Sequence, residues 1–524
     1  MTTTAPTLIE LPLAQYPGIR PFALDLASGD ARVAKLSSRR AIERLTPPAA
    51  AVDRAPIARS LAESNRRWGN DVDAELTRWA SGKTVTIVGG QQVGFAGGPL
   101  LTLTKIASLL RLKRDLERAG TPATAMFWMA TEDHDFGEVA CLDWPRREGG
   151  LAAFRCPHPP SLTHPVGSHT IPGILLRHFQ DITQRERPSW LRDGITFGDS
   201  FAEFVSEVVS GRGLVLVDAL DPELRRAGVP LFRQLASRMP EVEEAIALRS
   251  RELESAGFAP QVVPNQEGHY SVLYVIRGRD RRPLRPSGDR WLLGEDRVSS
   301  RDVASIVESE PERVSTGALA RPLLQDLVLQ PSIFVGGPAE VAYYSQILPL
   351  HSMLGIEAPH VALRGHVLVA PEKVLRAMEK YDIAPPELVS PPEEILARRE
   401  SEAMTDLHGE VARLAQMIDD ALTPIRKTVS AADPTMERSI ARTLRRMRYH
   451  VGKIEERGGR AILRRDAERH RAIHRLCGTL FPGGVPQDRR SAWAGLWHSY
   501  RHALVDRLID VIAPDSARFH ITGV

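Results

Sequence analysis

Residues 84–138 constrain the chain more than any other stretch: TVTIVGGQQVGFAGGPLLTLTKIASLLRLKRDLERAGTPATAMFWMATEDHDFGE. Thr84–Val88 is a β-branched apolar run that empties into Gly89, Gly90, Gln91, Gln92, Val93 and Gly94, then Gly97, Gly98 and Pro99. That order predicts a strand, a glycine loop and a helix starting near Pro99, where the missing N–H of proline costs nothing. Leu100, Leu103, Ile106, Ala107, Leu110 and Leu116 share one helical face, and Ala125–Ala130 predicts a second strand that ends at Glu132, Asp133, His134 and Asp135. A strand–helix–strand crossover favours a parallel sheet, with the glycine loop and the acidic cluster at the carboxyl ends of strands, where ligands of open α/β sheets bind. The glycines suit the close approach of backbone N–H groups to a phosphate or carboxylate, and they suit tight turns as well. Their spacing matches neither the phosphate loop nor the dinucleotide fingerprint. The acidic cluster reads either as part of a site or as a solvated strand end.

At 524 residues the chain calls for two or three domains. Its 68 basic and 65 acidic side chains nearly cancel to +3, so bulk charge argues for neither nucleic acid nor an anionic membrane. The N-terminus lacks the pattern of a secretory signal and no apolar run is long enough to span a bilayer. Cys141, Cys156 and Cys477 are too few and scattered for a disulfide framework or a metal site, which predicts a reduced, cytoplasmic protein.

Further along, residues 143–172 are rich in Pro, Gly and His, and His158, His164 and His169 read as surface or hydrogen-bonded side chains. Gly213–Ala219 predicts a strand buried on both faces, residues 221–256 a helical stretch broken near Pro240, and the alternating residues 259–294 a small antiparallel insert. In Ser315–Glu340, a segment holding Arg321, Gln325 and Asp326 precedes a strand at Ser332–Val335, and Gly336-Gly337-Pro338 opens a helix carrying Glu340, Tyr343 and Tyr344. This second helix N-terminus suits an anion. His360–Leu363 predicts a last core strand with Arg364, a possible anion contact, at its end. Beyond Pro391, Leu407, Val411, Leu414, Ile418, Ala421 and Ile425, then Ile440, Leu444, Met447, Val451 and Ile454, step by four and three, which predicts two long helices folded back at Asp433-Pro434. Their many arginines, Arg442, Arg445, Arg446, Arg448, Arg464 and Arg465 among them, alternate with acids and read as a solvated ion-pair face. Trp493, Trp497 and Tyr500 should pack a closing helix onto the body.

GGQQVGFAGGPLLTLTKI and FWMATEDHDFGEV closely resemble the cysteine-adding enzymes of bacillithiol biosynthesis, the BshC family. Arg321, Pro322, Gln325 and Asp326 match that family's R-P-x-x-Q-D, and Gly336, Gly337, Pro338, Glu340 and Tyr343 match its G-G-P-x-E-x-x-Y. The resemblance implies an α/β chain: a Rossmann-like core of the nucleotidyltransferase or class I synthetase type over 1–385, with inserts at about 143–200 and 257–300, and an antiparallel helical coiled coil with a closing helix over 386–524. It implies a homodimer made through the coiled coil. The implied activity is addition of L-cysteine to the amine of glucosaminyl-malate, the last step of bacillithiol synthesis.

Joining a carboxylate to an amine requires activation of the carboxylate, for which ATP and Mg²⁺ are expected from the family and the reaction logic. Asp133, His134 and Asp135 are the catalytic candidates, to accept the amine proton or hold the Mg²⁺. Gly89, Gly90, Gly94, Gly97, Gly98 and Pro99, with Lys105 and Arg364, are the anion-binding candidates, and Gln91, Gln92, Glu132, Arg321, Gln325, Asp326, Gly336, Gly337, Glu340 and Tyr343 the remaining substrate contacts. No set of protein metal ligands is expected. The chain lacks the H-x-G-H and K-M-S-K-S-like elements with which class I synthetases hold ATP, so the place of the nucleotide stays open. A nucleotidyltransferase acting on another sugar or amino acid, or a non-enzymatic coiled-coil scaffold that binds nucleotide, would share the same broad outline.

Overall fold

A computed structural model describes residues 6–42, 45–48, 51–146, 149–156, 163–288 and 290–524, without the side chains of residues 403, 460 and 462–466. His158 and the side chains of Arg464 and Arg465 lie outside the described residues. The chain divides into two compact units, one of residues up to 146, 151–370 and 486–524, the other essentially 371–485.

The first unit is built on five parallel strands. In chain order they are β1 (Val85–Gln91), followed by helix α1 (Leu101–Arg118), then β2 (Ala123–Met129), β3 (Leu214–Asp218), β4 (Ile333–Gly336), followed by α2 (Pro338–Leu354), and β5 (His360–Leu363). They lie side by side in the order β5-β4-β1-β2-β3. All residues of β2, β4 and β5 are buried, as expected of unbroken apolar strands covered on both faces. β1 runs further than its apolar part suggests, through Gly89 and Gly90 to Gln91. Pro99 does not open the helix: it forms an isolated bridge with Ala492, and α1 starts at Leu101.

The alternating stretch forms an antiparallel sheet of Leu273–Arg277, Asp280–Ser287, Arg290–Leu293 and Asp296–Val298, joined along its other edge by Val314–Thr316. That last strand leads into the helix Arg321–Leu329 and so carries the insert back to the carboxyl ends of the core strands. The sequence places residues 486–524 in the C-terminal domain as a closing segment that packs onto the body. The structure returns them to the first unit, where Arg518–Gly523 pairs with both Leu8–Pro12 and His366–Ala370, and Trp493 is fully buried against Phe204, ring centroids 4.4 Å apart.

The second unit contains α3 (Pro392–Ala432) and α4 (Met436–Leu480), turned at Asp433, whose carboxylate accepts from the Thr435 N–H. The helices run antiparallel: Arg426 pairs with Glu437 beside the turn, Asp419 with Arg448, His408 with Glu455, and Glu400 with His470. Two helices cover only one side of each other, so Leu414, Met417, Ile425, Met447 and Ile454 remain exposed, Met417 to 67%. Among the described residues no helix is long and apolar enough to cross a membrane.

Candidate functional site

A cavity of about 540 Å³ opens at the carboxyl ends of β1, β2 and β4. Its walls come from five places in the sequence: Gly90–Gln92 with Leu101 and Lys105; Glu132, Asp133, His134 and Glu138; Tyr274 and Arg281 of the antiparallel sheet with Thr316; Arg321, Gly337, Glu340, Tyr343 and Arg364; and Arg489 of the C-terminal segment. The two motif stretches, residues 84–138 and 315–340, therefore meet at one sheet edge, as parallel strands require of loops that follow adjacent strands.

Most of the glycines are taken up in close packing. Gly90 lies inside the strand ladder, where an added Cβ would stand 2.4 Å from the Trp128 carbonyl oxygen. At Gly97, with φ +83°, a Cβ would meet the Trp493 ring at 2.6 Å, and the Trp493 indole N–H donates to the Gly97 carbonyl at 2.8 Å. Gly97, Gly98 and Pro99 thus receive the C-terminal segment and do not line the cavity; Gly89, Gly94 and Gly336 also stay outside its lining.

Lys105 reaches back from the second turn of α1. Its ammonium is buried and donates to the Gly90 carbonyl, to Gln91 Oε1 and to Glu340 Oε2. Burial pushes its pKa down, against the pull of Glu340. Glu340 Oε2 also accepts the Gly337 N–H at 2.7 Å, so the N-terminus of α2 is capped from within the chain. Arg364 is buried and paired with Asp488 at 3.0 Å, with further bonds to Thr104 Oγ1 and the Gly365 carbonyl.

Glu132 borders the cavity but is fully engaged elsewhere: it accepts from Arg225 at 2.7 Å, from Ser315 Oγ at 2.7 Å, and from the Thr316 N–H and hydroxyl. Asp135 caps the short helix Phe136–Val139 through the Glu138 N–H and is not part of the lining. Asp326 is buried behind Arg321, bound to His351 Nε2 at 2.8 Å and to the Tyr344 hydroxyl at 3.1 Å, and it orients Gln325. Asp135, Gln325 and Asp326 lie outside the lining, and Glu132 lines it with its charge already paired.

Arg321, Arg489, Asp133, Glu138 and His134 remain to do chemistry. Arg321 donates only to neutral acceptors, Gln325 Oε1 at 3.2 Å and the Tyr343 hydroxyl, and no carboxylate lies within ion-pair distance of it among the described residues. Burial works against its charge, while Tyr343, Tyr344 and Glu340 favour it; burial also raises the Tyr343 phenol, which therefore stays protonated. A half-buried guanidinium without a counter-ion is a binding point for a carboxylate or phosphate. Asp133 accepts from Gln92 Nε2 and from the His134 N–H. Glu138, which the sequence reading gave no role, lines the mouth, and its carboxyl is raised by burial and by Asp135 and Asp133. His134 accepts from Arg281 at 2.7 Å. Arg281 itself had no signal in the sequence beyond lying in an alternating, arginine-rich strand. Of the glycine loop, Gly90, Gln91 and Gln92 line the cavity, while Gly97, Gly98 and Pro99 are taken up in packing. Of the lining carboxylates, Glu132 is paired with Arg225 and Glu340 with Lys105, which leaves Asp133 and Glu138 without a lysine or arginine partner among the described residues.

Comparison with known proteins matches residues 30–365 to the N-terminal Rossmann-like domain of bacillithiol biosynthesis BshC and residues 367–524 to the C-terminal coiled-coil domain of the same proteins. Proteins named "Putative cysteine ligase BshC" are similar along most of their length: 28% identity in Koribacter versatilis over 87% of both chains, 29% in Solibacter usitatus over 86% of both, and 26% in Geobacillus kaustophilus over 90% of both. The matched segments contain both halves of the cavity, and the chain belongs to the BshC family of bacillithiol biosynthesis.

Proposed function

We propose that the cavity is the active site of a cysteine ligase that joins the carboxyl group of L-cysteine to the amine of glucosaminyl-malate, the last step of bacillithiol synthesis, with ATP as the activating co-substrate. The observation that carries this reading is the pairing in one cavity of an uncompensated cation, Arg321, with two carboxylates that no lysine or arginine neutralises among the described residues, Asp133 and Glu138. An acidic substrate needs the first and an attacking amine needs the second. The names of the relatives support the substrate, cysteine, and the class of reaction.

Purified protein given cysteine, glucosaminyl-malate and Mg-ATP should form bacillithiol, detected as its labelled thiol by mass spectrometry. A protein that consumes no cysteine under these conditions, with glucosaminyl-malate recovered intact, contradicts the reading.

The uncovered apolar side of the α3–α4 hairpin fits a second copy of the chain, and the working unit is proposed to be a homodimer formed there. Replacing Met417 and Ile425 together by glutamate is expected to convert dimer to monomer in sedimentation equilibrium, with the melting of the first unit unchanged. An unaltered molecular mass would place the interface elsewhere.

A further inference from the structure

His134 combines two features that fix its chemical state. Its Nδ1 stands 2.7 Å from an N–H of Arg281, and a guanidinium can only donate, so Nδ1 must be the unprotonated acceptor. A proton on Nδ1 would set two N–H groups head to head, and an imidazolium would place two cations in contact. Arg281 has no freedom to turn away. It is 6% exposed, its Nε donates to Ser315 Oγ at 2.8 Å, its other terminal nitrogen donates to the Thr316 carbonyl at 2.7 Å, and its guanidinium carbon stacks 3.8 Å from the Tyr274 ring centroid. The groups that would favour a charged ring are weakly placed: Asp133 Oδ1 is 3.6 Å from Nδ1, beyond hydrogen-bonding reach and already engaged by the His134 N–H, and Asp135 points to its helix cap. The remaining nitrogen, Nε2, has no protein partner among the described residues, and the ring lines the cavity with 41% of its side chain exposed.

We propose that His134 serves the ligase reaction as a neutral hydrogen-bond donor through Nε2–H, with Arg281 as the positioning residue that sets this tautomer. The inference rests on the cysteine-ligase reading for the reaction but not for the tautomer. A neutral imidazole that donates can stabilise the oxygen of the activated cysteine carboxyl as negative charge develops there. It cannot take the amine proton at Nε2, which already carries one, so that proton passes to a carboxylate, Asp133 or Glu138. Burial and Arg281 lower the pKa of the ring, against Asp133 and Asp135, and so extend the neutral form below the usual histidine range.

The test is ¹⁵N NMR of the full-length protein labelled at histidine, with the His134 signals assigned by their absence from His134→Gln. Protonated Nε2 and unprotonated Nδ1 are expected at neutral pH and through the ordinary histidine range, and Arg281→Lys, which keeps charge and one donor but loses the fork, should let the ring titrate closer to that range. In the reconstituted reaction His134→Leu should lose about 10²–10³-fold in kcat with little change in KM, and His134→Gln, which keeps an amide donor, should recover most of the loss. Protonated Nδ1 or an imidazolium at neutral pH overturns the tautomer assignment, and equal loss in the Gln and Leu variants overturns the donor role. Because the NMR readout needs no substrate, an Nε2–H tautomer in a protein that joins no cysteine would overturn the reaction assigned to the cavity and leave the lock standing.

Discussion

Replacing Arg225 by methionine is expected to destabilise the protein by about 3–5 kcal/mol, read as a lowered urea midpoint, although Arg225 lies outside the cavity. Arg225 is completely buried, and besides Glu132 it holds the Ala219 and Val314 carbonyls, tying the end of β3 to the strand Val314–Thr316. Methionine keeps the apolar stem and leaves the Glu132 carboxylate, 3% exposed, without its nearest counter-charge. The magnitude follows from stranding a buried charge, not from the worth of the pair, so the double variant Arg225→Met, Glu132→Gln should regain part of the loss.

The pH dependence gives this prediction a second reading. Burial raises the Glu132 carboxyl, but Arg225 and Arg281 outweigh it and hold the group below its ordinary value, which is about 4.3. A depressed carboxyl contributes its stability above that ordinary value and loses it as the pH falls through the lower folded value. In Arg225→Met the same carboxyl should move upward, so protonation relieves the variant and the gap to the parent protein narrows in acid. Equal midpoints at neutral pH, or a gap that widens in acid, would contradict the assignment of Glu132 as a structural anion.

Arg321→Met should show the opposite pattern, with stability close to the parent protein and activity largely lost. The guanidinium has no carboxylate partner to strand, and its removal relieves repulsion felt by Lys105. Each charge-assisted hydrogen bond is worth about 1.5–3 kcal/mol, so losing a two-pronged contact to an acidic substrate should lower kcat/KM by roughly 10²–10⁴-fold. Arg321→Lys keeps the charge without the fork and should fall between the two. Wild-type kcat/KM in Arg321→Met would remove this residue from the substrate's path, whatever the cavity does.

The strands were legible because a strand buried on both faces is written as an unbroken apolar run: Leu214–Asp218 and His360–Leu363 lie where GLVLVDA and HVAL place them. The meeting of the two motif stretches was legible through the same rule, since loops after adjacent parallel strands share one edge. What a linear pattern does not carry is which polar groups spend their charge on one another. Glu132 and Asp133 are neighbours in sequence, yet one is committed to Arg225, 93 residues away, and the other faces the cavity. The same holds for the glycines. Their conformational role at Gly97 depends on Trp493, which arrives from the far end of the chain and was expected only to pack against the body. Arg281 escaped notice because an arginine in an alternating strand looks like surface until the sheet folds back over His134.

The central claim is that cysteine is joined to glucosaminyl-malate in this cavity. The most direct measurement is the paired quantification of bacillithiol and glucosaminyl-malate in cells lacking the gene, complemented with the parent protein or with Arg321→Met at equal abundance. The parent protein should restore bacillithiol, while Arg321→Met should leave the thiol low and glucosaminyl-malate accumulated. Undiminished bacillithiol in the cells without the gene, or full restoration by Arg321→Met, would contradict it.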